Sequence, residues 1–227
     1  DRTGKSINRN ALIALIGAVI LREHPGSTIV TDSVTSDGLA KFIADRNGKH
    51  HRFRRGYKNV INESLRLNEN GEESWLAIET SGHAALRENY FLDDGAYLVA
   101  KLIIEAACLR KEGKELQDLI ADLQQPVESK EIRFKIDTDD FKTYGEQVLE
   151  HIKAAAEKEH DWQLVAPNYE GVRIACTDEK EQGWFLLRQS LHDPVLPLNI
   201  ESNVEGGVSR ITDRVLALLS DFKALKQ

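Results

Sequence analysis

Gln124-Gln125-Pro126-Val127-Glu128-Ser129 separates two halves of the sequence that are ordered in different ways. Pro126 has no N–H to donate and a ring that clashes with the preceding turn, so a helix cannot run through it, and its polar neighbours suit a linker. Upstream, helix-like and strand-like stretches alternate. Apolar residues crowd every turn over 8–22 until His24-Pro25-Gly26 stops the pattern, and a short β-branched stretch follows at 28–31. Helical spacing over 36–46, a strand-like run at 50–53, a polar helix around 58–67, a strand at 75–79 and a long helix over 95–111 continue the alternation, with 116–123 still helical. This order predicts an α/β domain over residues 1–125. Downstream come a strand at 132–136, a helix near 140–157, three closely spaced strands at 172–177, 184–188 and 195–200, and a last amphipathic helix near 207–225. Three strands between two helices predict an α+β domain over 126–227, an antiparallel sheet with helices on one face.

The 227 residues could bury two modest cores, and 41% hydrophobic with 30% charged residues describes a globular chain. The longest apolar run, 11–21, is about half the roughly 20 residues of a membrane span and carries no cleavage pattern, so it reads as a buried helix and no membrane is expected. A net charge of -7 repels nucleic acid and anionic membranes, which leaves any anionic ligand to local positive groups. Cys108 and Cys176 sit in apolar segments and are expected as buried thiols of a reducing compartment, with the cytoplasm as default. There is no methionine, so a chain opening at Asp1 is expected to be an internal piece of something longer.

Three stretches could carry chemistry. Glu79-Thr80-Ser81-Gly82-His83 stands where the strand at 75–79 runs out into a loop, and strand ends are where α/β sheets bind ligands. The two oxygens of Glu79 could accept from neighbouring sugar hydroxyls, with Ser81 beside them, Gly82 allowing close approach and His83 reaching the ligand or bracing the loop. A polar loop capping the sheet edge would read the same way. Arg188-Gln189-Ser190-Leu191-His192-Asp193-Pro194 lies between two apolar strands. The planar fork of Arg188 matches phosphate oxygens, and the Ser190 hydroxyl with turn N–H groups can complete an anion cradle; an ordinary hairpin with Arg188 paired to an acid is the other reading. Ser190, His192 and Asp193 are too close in sequence for a catalytic triad. The third stretch, His50-His51-Arg52 followed by Arg54-Arg55-Gly56-Tyr57-Lys58, is the densest positive run. It could attract a phosphoryl group or be a solvated face; nucleic acid is not expected in so acidic a chain without stacking residues. His50 and His51 would point to opposite sides of a strand, which argues against a two-His metal site. Asp93-Asp94-Gly95 reads as the start of a helix rather than a cation site.

Taken together, Glu79 through His83, Asp93-Asp94-Gly95 and Arg188 through Pro194 resemble, in order and separation, the sugar loop, helix start and phosphate loop of the α-D-phosphohexomutases, the phosphomannomutase/phosphoglucomutase family. Thr31-Asp32-Ser33-Val34-Thr35-Ser36 and Gly183-Trp184-Phe185-Leu186-Leu187 are similar as well, so the resemblance covers nearly the whole chain. It implies the family's third and fourth domains, with a remnant of the second at the start. Glu79, Ser81 and His83 would bind sugar hydroxyls, while Arg188 and Ser190 would hold the phosphate that is not reacting. Gly56-Tyr57-Lys58 resembles a loop facing the active site, which makes Lys58 a further substrate contact. The phosphate loop of the family usually reads Ser-Asn-Thr-Glu-Pro; here Leu191 offers only its backbone, and His192 puts an imidazole where a hydroxyl is usual, so phosphate affinity should depend on pH.

The family's phosphoserine loop and its Asp-Gly-Asp-x-Asp-Arg magnesium loop are absent, and Asp1 to Lys5 resembles sequence just after the metal loop. The resemblance therefore implies the C-terminal part of an intramolecular phosphotransferase that interconverts hexose 1-phosphate and hexose 6-phosphate. No catalytic residue or metal ligand is expected here, Mg2+ is expected upstream in the parent, and the partners are hexose phosphates and the upstream domains of the same protein. A sugar-phosphate-binding module without turnover is the alternative from another class. A phosphoglucosamine mutase is the alternative enzyme, although those relatives usually carry glutamine where Thr80 stands.

Overall fold

α1 (Arg9–Glu23) is enclosed along most of its length, with Ile13, Ile16 and Ile20 wholly buried, which accounts for apolar side chains on every turn. The computed structural model describes residues 3–4, 6–7, 9–190 and 193–226, which form two units, Asp1–Gln124 and Gln125–Gln227. In the first, β1 (Thr28–Asp32), α2 (Asp37–Asp45), β2 (Lys49–Phe53), α3 (Tyr57–Glu69), β3 (Ser74–Ile78), β4 (Ala84–Leu86) and α4 (Gly95–Lys111) follow α1. The sheet order is β2-β1-β3-β4; β1 runs parallel to β2 and β3, and β4 closes the edge antiparallel to β3.

Alternate residues of the strands serve the two faces. Ile29, Leu76 and Ile78 pack with α1, with Leu39, Phe42 and Ile43 of α2 and with Leu98 of α4, while Val30 and Ala77 pack with Val60 and Leu67 of α3. Burial on both faces explains why Ile29 and Val30 stand side by side in β1 rather than alternating with exposed polar residues. Ser36 caps α2 by accepting from the Leu39 N–H at 3.0 Å, and Asp94 caps α4 by accepting from the Tyr97 N–H at 3.0 Å, as the Asp93-Asp94-Gly95 reading expects. His50 and His51 do face opposite sides: His50 Nε2 meets Thr31 Oγ1 at 2.8 Å, and His51 Nε2 meets Glu63 of α3 at 2.9 Å. The parallel register, Asp32 against Phe53 and Thr31 against Ile78, brings the carboxyl ends of β1, β2 and β3 to one edge of the sheet.

The second unit is α+β. Strands β5 (Glu128–Ile136), β6 (Trp162–Leu164), β7 (Val172–Cys176), β8 (Gly183–Leu187), β9 (Val195–Ser202) and β10 (Leu225–Lys226) form an antiparallel sheet ordered β10-β5-β9-β8-β7-β6. α5 (Phe141–Ala156) and α6 (Gly207–Leu219) cover one face, where Val148, Ile152, Ile211 and Val215 meet Phe134, Ile174, Phe185, Leu187 and Leu198 in a single core.

Four sequence expectations need correction. The last helix ends at Leu219, because Phe222 turns back against Tyr144 and His151 and the chain then pairs with Ile136 of β5 as β10. The stretch expected as helix over 116–123 is a 3-10 turn over Leu116–Ile120. Strands β4 and β6, three residues each, are too short to leave a periodic signal. Cys176 is buried, and burial pushes its thiol well above the usual range, but Cys108 lies exposed on α4. α4 is apolar on its outer side too, with Val99, Ile103 and Ile104 exposed, so an apolar neighbourhood in sequence did not mean burial there. No helix among the described residues is long and apolar enough to cross a membrane.

Candidate functional site

Glu79 follows β3 directly, and the chain reverses within four residues to begin β4. The Glu79 N–H donates to the His83 carbonyl at 2.9 Å and the Gly82 N–H to the Glu79 carbonyl at 3.0 Å. Gly82 sits at φ +100°, a conformation that side chains rarely tolerate, which gives its place in the motif a mechanical reason. The motif is therefore a tight hairpin turn at the carboxyl edge of the parallel strands.

Its side chains are already engaged. Glu79 is only 5% exposed and its Oε1 accepts the Gly56 N–H at 2.7 Å, while the Ser81 hydroxyl donates to Oε2 at 3.4 Å. The expectation that both oxygens face a sugar thus narrows to Oε2, with Oε1 tying the turn to the β2–α3 loop. Ser81 itself is exposed. His83 Nδ1 meets Asp93 Oδ2 at 2.8 Å and its ring stacks on Tyr57 with centroids 5.2 Å apart. With Nδ1 engaged by Asp93, Nε2 is the ring nitrogen turned to other partners, an acceptor in the tautomer whose proton sits on Nδ1. Thr80 turns inward: its hydroxyl donates to Asp32 Oδ2 at 2.6 Å. Lys58 is exposed in the first turn of α3, its ammonium 5.9 Å from the Tyr57 ring centre. The rest of the basic run is largely internal wiring, with Arg52 donating to Asp37 at 2.7 Å and Arg55 lying 3.6 Å from Asp32.

In the second unit Arg188 follows β8. It is 8% exposed, and its guanidinium lies 3.7 Å from Glu170. The Arg188 N–H donates to Pro197 and the Ser190 N–H to Val195, so both residues are fixed against β9. The Ser190 hydroxyl accepts from the Asp193 N–H at 3.3 Å, and Gln189 reaches across to the Phe141 and Lys142 carbonyls. Gly171, at φ +59°, leaves no room for a side chain: a Cβ there would stand 2.2 Å from the Leu187 carbonyl oxygen and 2.8 Å from Arg188 Cα. Leu191 and His192 lie outside the described residues.

Sequence reading missed Asp32, Asp93, Tyr57 and Gly171 as residues that hold these loops. Asp32 and Tyr57 gave no local signal, since their roles arise only when parallel strands bring their ends together. Gly171, a lone glycine before an apolar strand, was a readable sign of close approach. Among the described residues no three His, Cys, Asp or Glu side chains come together in a way that could hold a metal ion.

Residues 8–127 match the family model described as phosphoglucomutase/phosphomannomutase, alpha/beta/alpha domain III. The chain is 28% identical over 210 residues to the phosphomannomutase/phosphoglucomutase of Pseudomonas syringae pv. tomato, covering 92% of this chain and 41% of that protein. It is 26% identical over 228 residues to the phosphomannomutase of Methanocaldococcus jannaschii, covering 99% of this chain and 45% of that protein. A phosphoglucomutase/phosphomannomutase family protein from Burkholderia thailandensis superposes with a TM-score of 0.75 at 24% identity, over 97% of this chain and 43% of that structure. The chain thus spans less than half the length of these relatives.

Proposed function

That the chain belongs to the phosphoglucomutase/phosphomannomutase family is the premise from which we propose its function: it recognises hexose phosphates for an enzyme that interconverts hexose 1-phosphate and hexose 6-phosphate. The observation that carries this reading is the turn of residues 79–83, in which Glu79 Oε2, the Ser81 hydroxyl and His83 Nε2 come together, with Tyr57 stacked on His83 and Lys58 exposed next to it in sequence. Such a set accepts hydrogens from a polyol, and Lys58 adds a donor for its hydroxyls. Arg188 and Ser190 would hold the phosphate that is not reacting. His192 would complete that loop.

In phosphoryl transfer much of the catalysis is positioning, and that is the role these residues would serve. In the proposed parent enzyme a phosphoserine would exchange the phosphoryl group and magnesium would stabilise the transferring charge; no step assigned to the residues here passes through the metal. The setting would be the cytoplasm. A binding module without turnover would use the same residues in the same way.

Calorimetric titration of the 227-residue chain tests the reading. Glucose 1-phosphate and glucose 6-phosphate should both bind, because a mutase must accept its sugar in either orientation, with affinities in the millimolar range, worth about 4 kcal/mol. Inorganic phosphate should bind more weakly. Equal heats for inorganic phosphate and the sugar phosphates, or no binding of either, would remove sugar recognition from this chain.

A further inference from the structure

Asp32 ends the inner strand β1 with its side chain wholly enclosed. Its Oδ2 accepts from the Thr80 hydroxyl at 2.6 Å and from the Thr80 N–H at 3.3 Å, and Arg55 Nε stands 3.6 Å from the same oxygen. Oδ1 is enclosed with no hydrogen-bond partner among the described residues. These contacts fall in a particular place. Glu79 is tied to Gly56 by the 2.7 Å bond from the Gly56 N–H to Oε1, and Asp32 holds the neighbour of each: Thr80 next to Glu79, and Arg55 next to Gly56. One buried carboxylate therefore clamps both ends of the bond that orients Glu79.

We propose that Asp32 is a positioning residue for sugar recognition, fixing the turn of residues 79–83 so that Glu79 Oε2 and Ser81 face the hexose hydroxyls. The inference rests on the reading of that turn as a sugar loop, and Asp32 itself touches no substrate. Its energetics point the same way. Burial pushes its carboxyl up to about 6, with the charge of Glu79 adding to the push and Thr80 and Arg55 opposing it. A carboxyl with a folded pKa above its ordinary 3.8 contributes stability that is full below pH 3.8 and is lost as the pH rises through about 6. At neutral pH the ionised Asp32 thus weakens the fold, and a neutral side chain of the same shape would not. Perturbed groups that cost stability in this way concentrate at functional sites.

Two-dimensional NMR of the whole chain between pH 4.5 and 8, for the wild type and the D32N, T80V and T80S variants, tests the proposal. In the wild type the amides of Gly56, Thr80 and Ser81 should share a titration midpoint near 6. D32N should abolish that midpoint and shift all three amides. T80V should reproduce the shifts, while T80S, which keeps the hydroxyl, should restore the wild-type positions. Affinity for glucose 1-phosphate should fall about tenfold in D32N and T80V and recover in T80S. Meanwhile the thermal midpoint of D32N relative to wild type should rise as the pH is taken from 4.5 to 8, a gain that a merely supporting residue would not combine with weaker binding. Amides of Gly56, Thr80 and Ser81 that stay in place in D32N overturn the proposal, as do shifts with undiminished affinity. Shifts with no sugar binding by any variant, the wild type included, sink the sugar-loop reading while leaving the clamp standing.

Discussion

Replacing Arg188 with alanine is expected to weaken hexose phosphate binding by about 2 kcal/mol or more, roughly thirtyfold, through loss of charge-assisted hydrogen bonds. The Arg188 N–H donates to Pro197, Gly171 packs against its Cα and its largely buried guanidinium lies 3.7 Å from Glu170, so the second unit restricts the side chain before any ligand arrives. A restricted fork loses little freedom on binding, which is where a rigid donor gains over a mobile surface one. Lysine in its place should keep the charge but lose the two-pronged geometry, and recover only part of the affinity. The rival account makes Arg188 a partner for Glu170 and nothing more. It predicts that the alanine variant loses stability while its calorimetric affinity for glucose 1-phosphate is unchanged, and that result would contradict the phosphate assignment.

The largest stability effect is expected at Phe185, the bulkiest wholly buried side chain of the second unit. Its ring meets Trp162 edge to face at 5.0 Å and lies in the core between the sheet and α5 and α6. Phe185→Ala removes that ring from a place where strands cannot close around the gap, and should lower the unfolding free energy of the second unit by about 3–5 kcal/mol. Because the chain has two units, a single two-state fit is not appropriate; the fluorescence of Trp162 and Trp184 follows the second unit and that of Trp75 the first. With a urea slope of about 2 kcal/mol per molar, the tryptophan transition of the second unit should move down by about 2 M. A loss under about 1 kcal/mol would mean that β8 does not turn Phe185 toward the helices.

The sequence was most readable where one residue decides a local outcome. Pro126 marked the passage from alternating to clustered strands, Asp94 the start of α4, and the apolar turns of 8–22 the buried α1. It was least readable where the outcome depends on residues far apart. β4 and β10 are short strands that exist only because a neighbouring edge is available to pair with them. Cys108 sits among apolar residues on a helix whose outer side is also apolar, so hydrophobicity could not distinguish inside from outside.

The same contrast holds at the loops. Glu79, Ser81, His83 and Arg188 stood out by residue type and order. That Glu79 would spend one oxygen on Gly56, and that Thr80 would turn inward to Asp32, follows from parallel strands ending at a common edge, which no short stretch of sequence contains. Thr80 is instructive in this respect. Read as a letter, it suggested a sugar without an amino group; in the fold its hydroxyl is committed to Asp32, so it shapes the turn from behind.

Amide mapping of the chain by two-dimensional NMR, titrated in turn with glucose 1-phosphate and inorganic phosphate, would decide whether the two loops recognise what is assigned to them. Glucose 1-phosphate should shift the amides of residues 79–83 and of Arg188 and Ser190, and inorganic phosphate should reproduce the Arg188 and Ser190 shifts while leaving 79–83 in place. Shifts confined to other surfaces, or a turn at 79–83 that responds to inorganic phosphate as strongly as to the sugar phosphate, would contradict the assignment of hydroxyls to one loop and phosphate to the other.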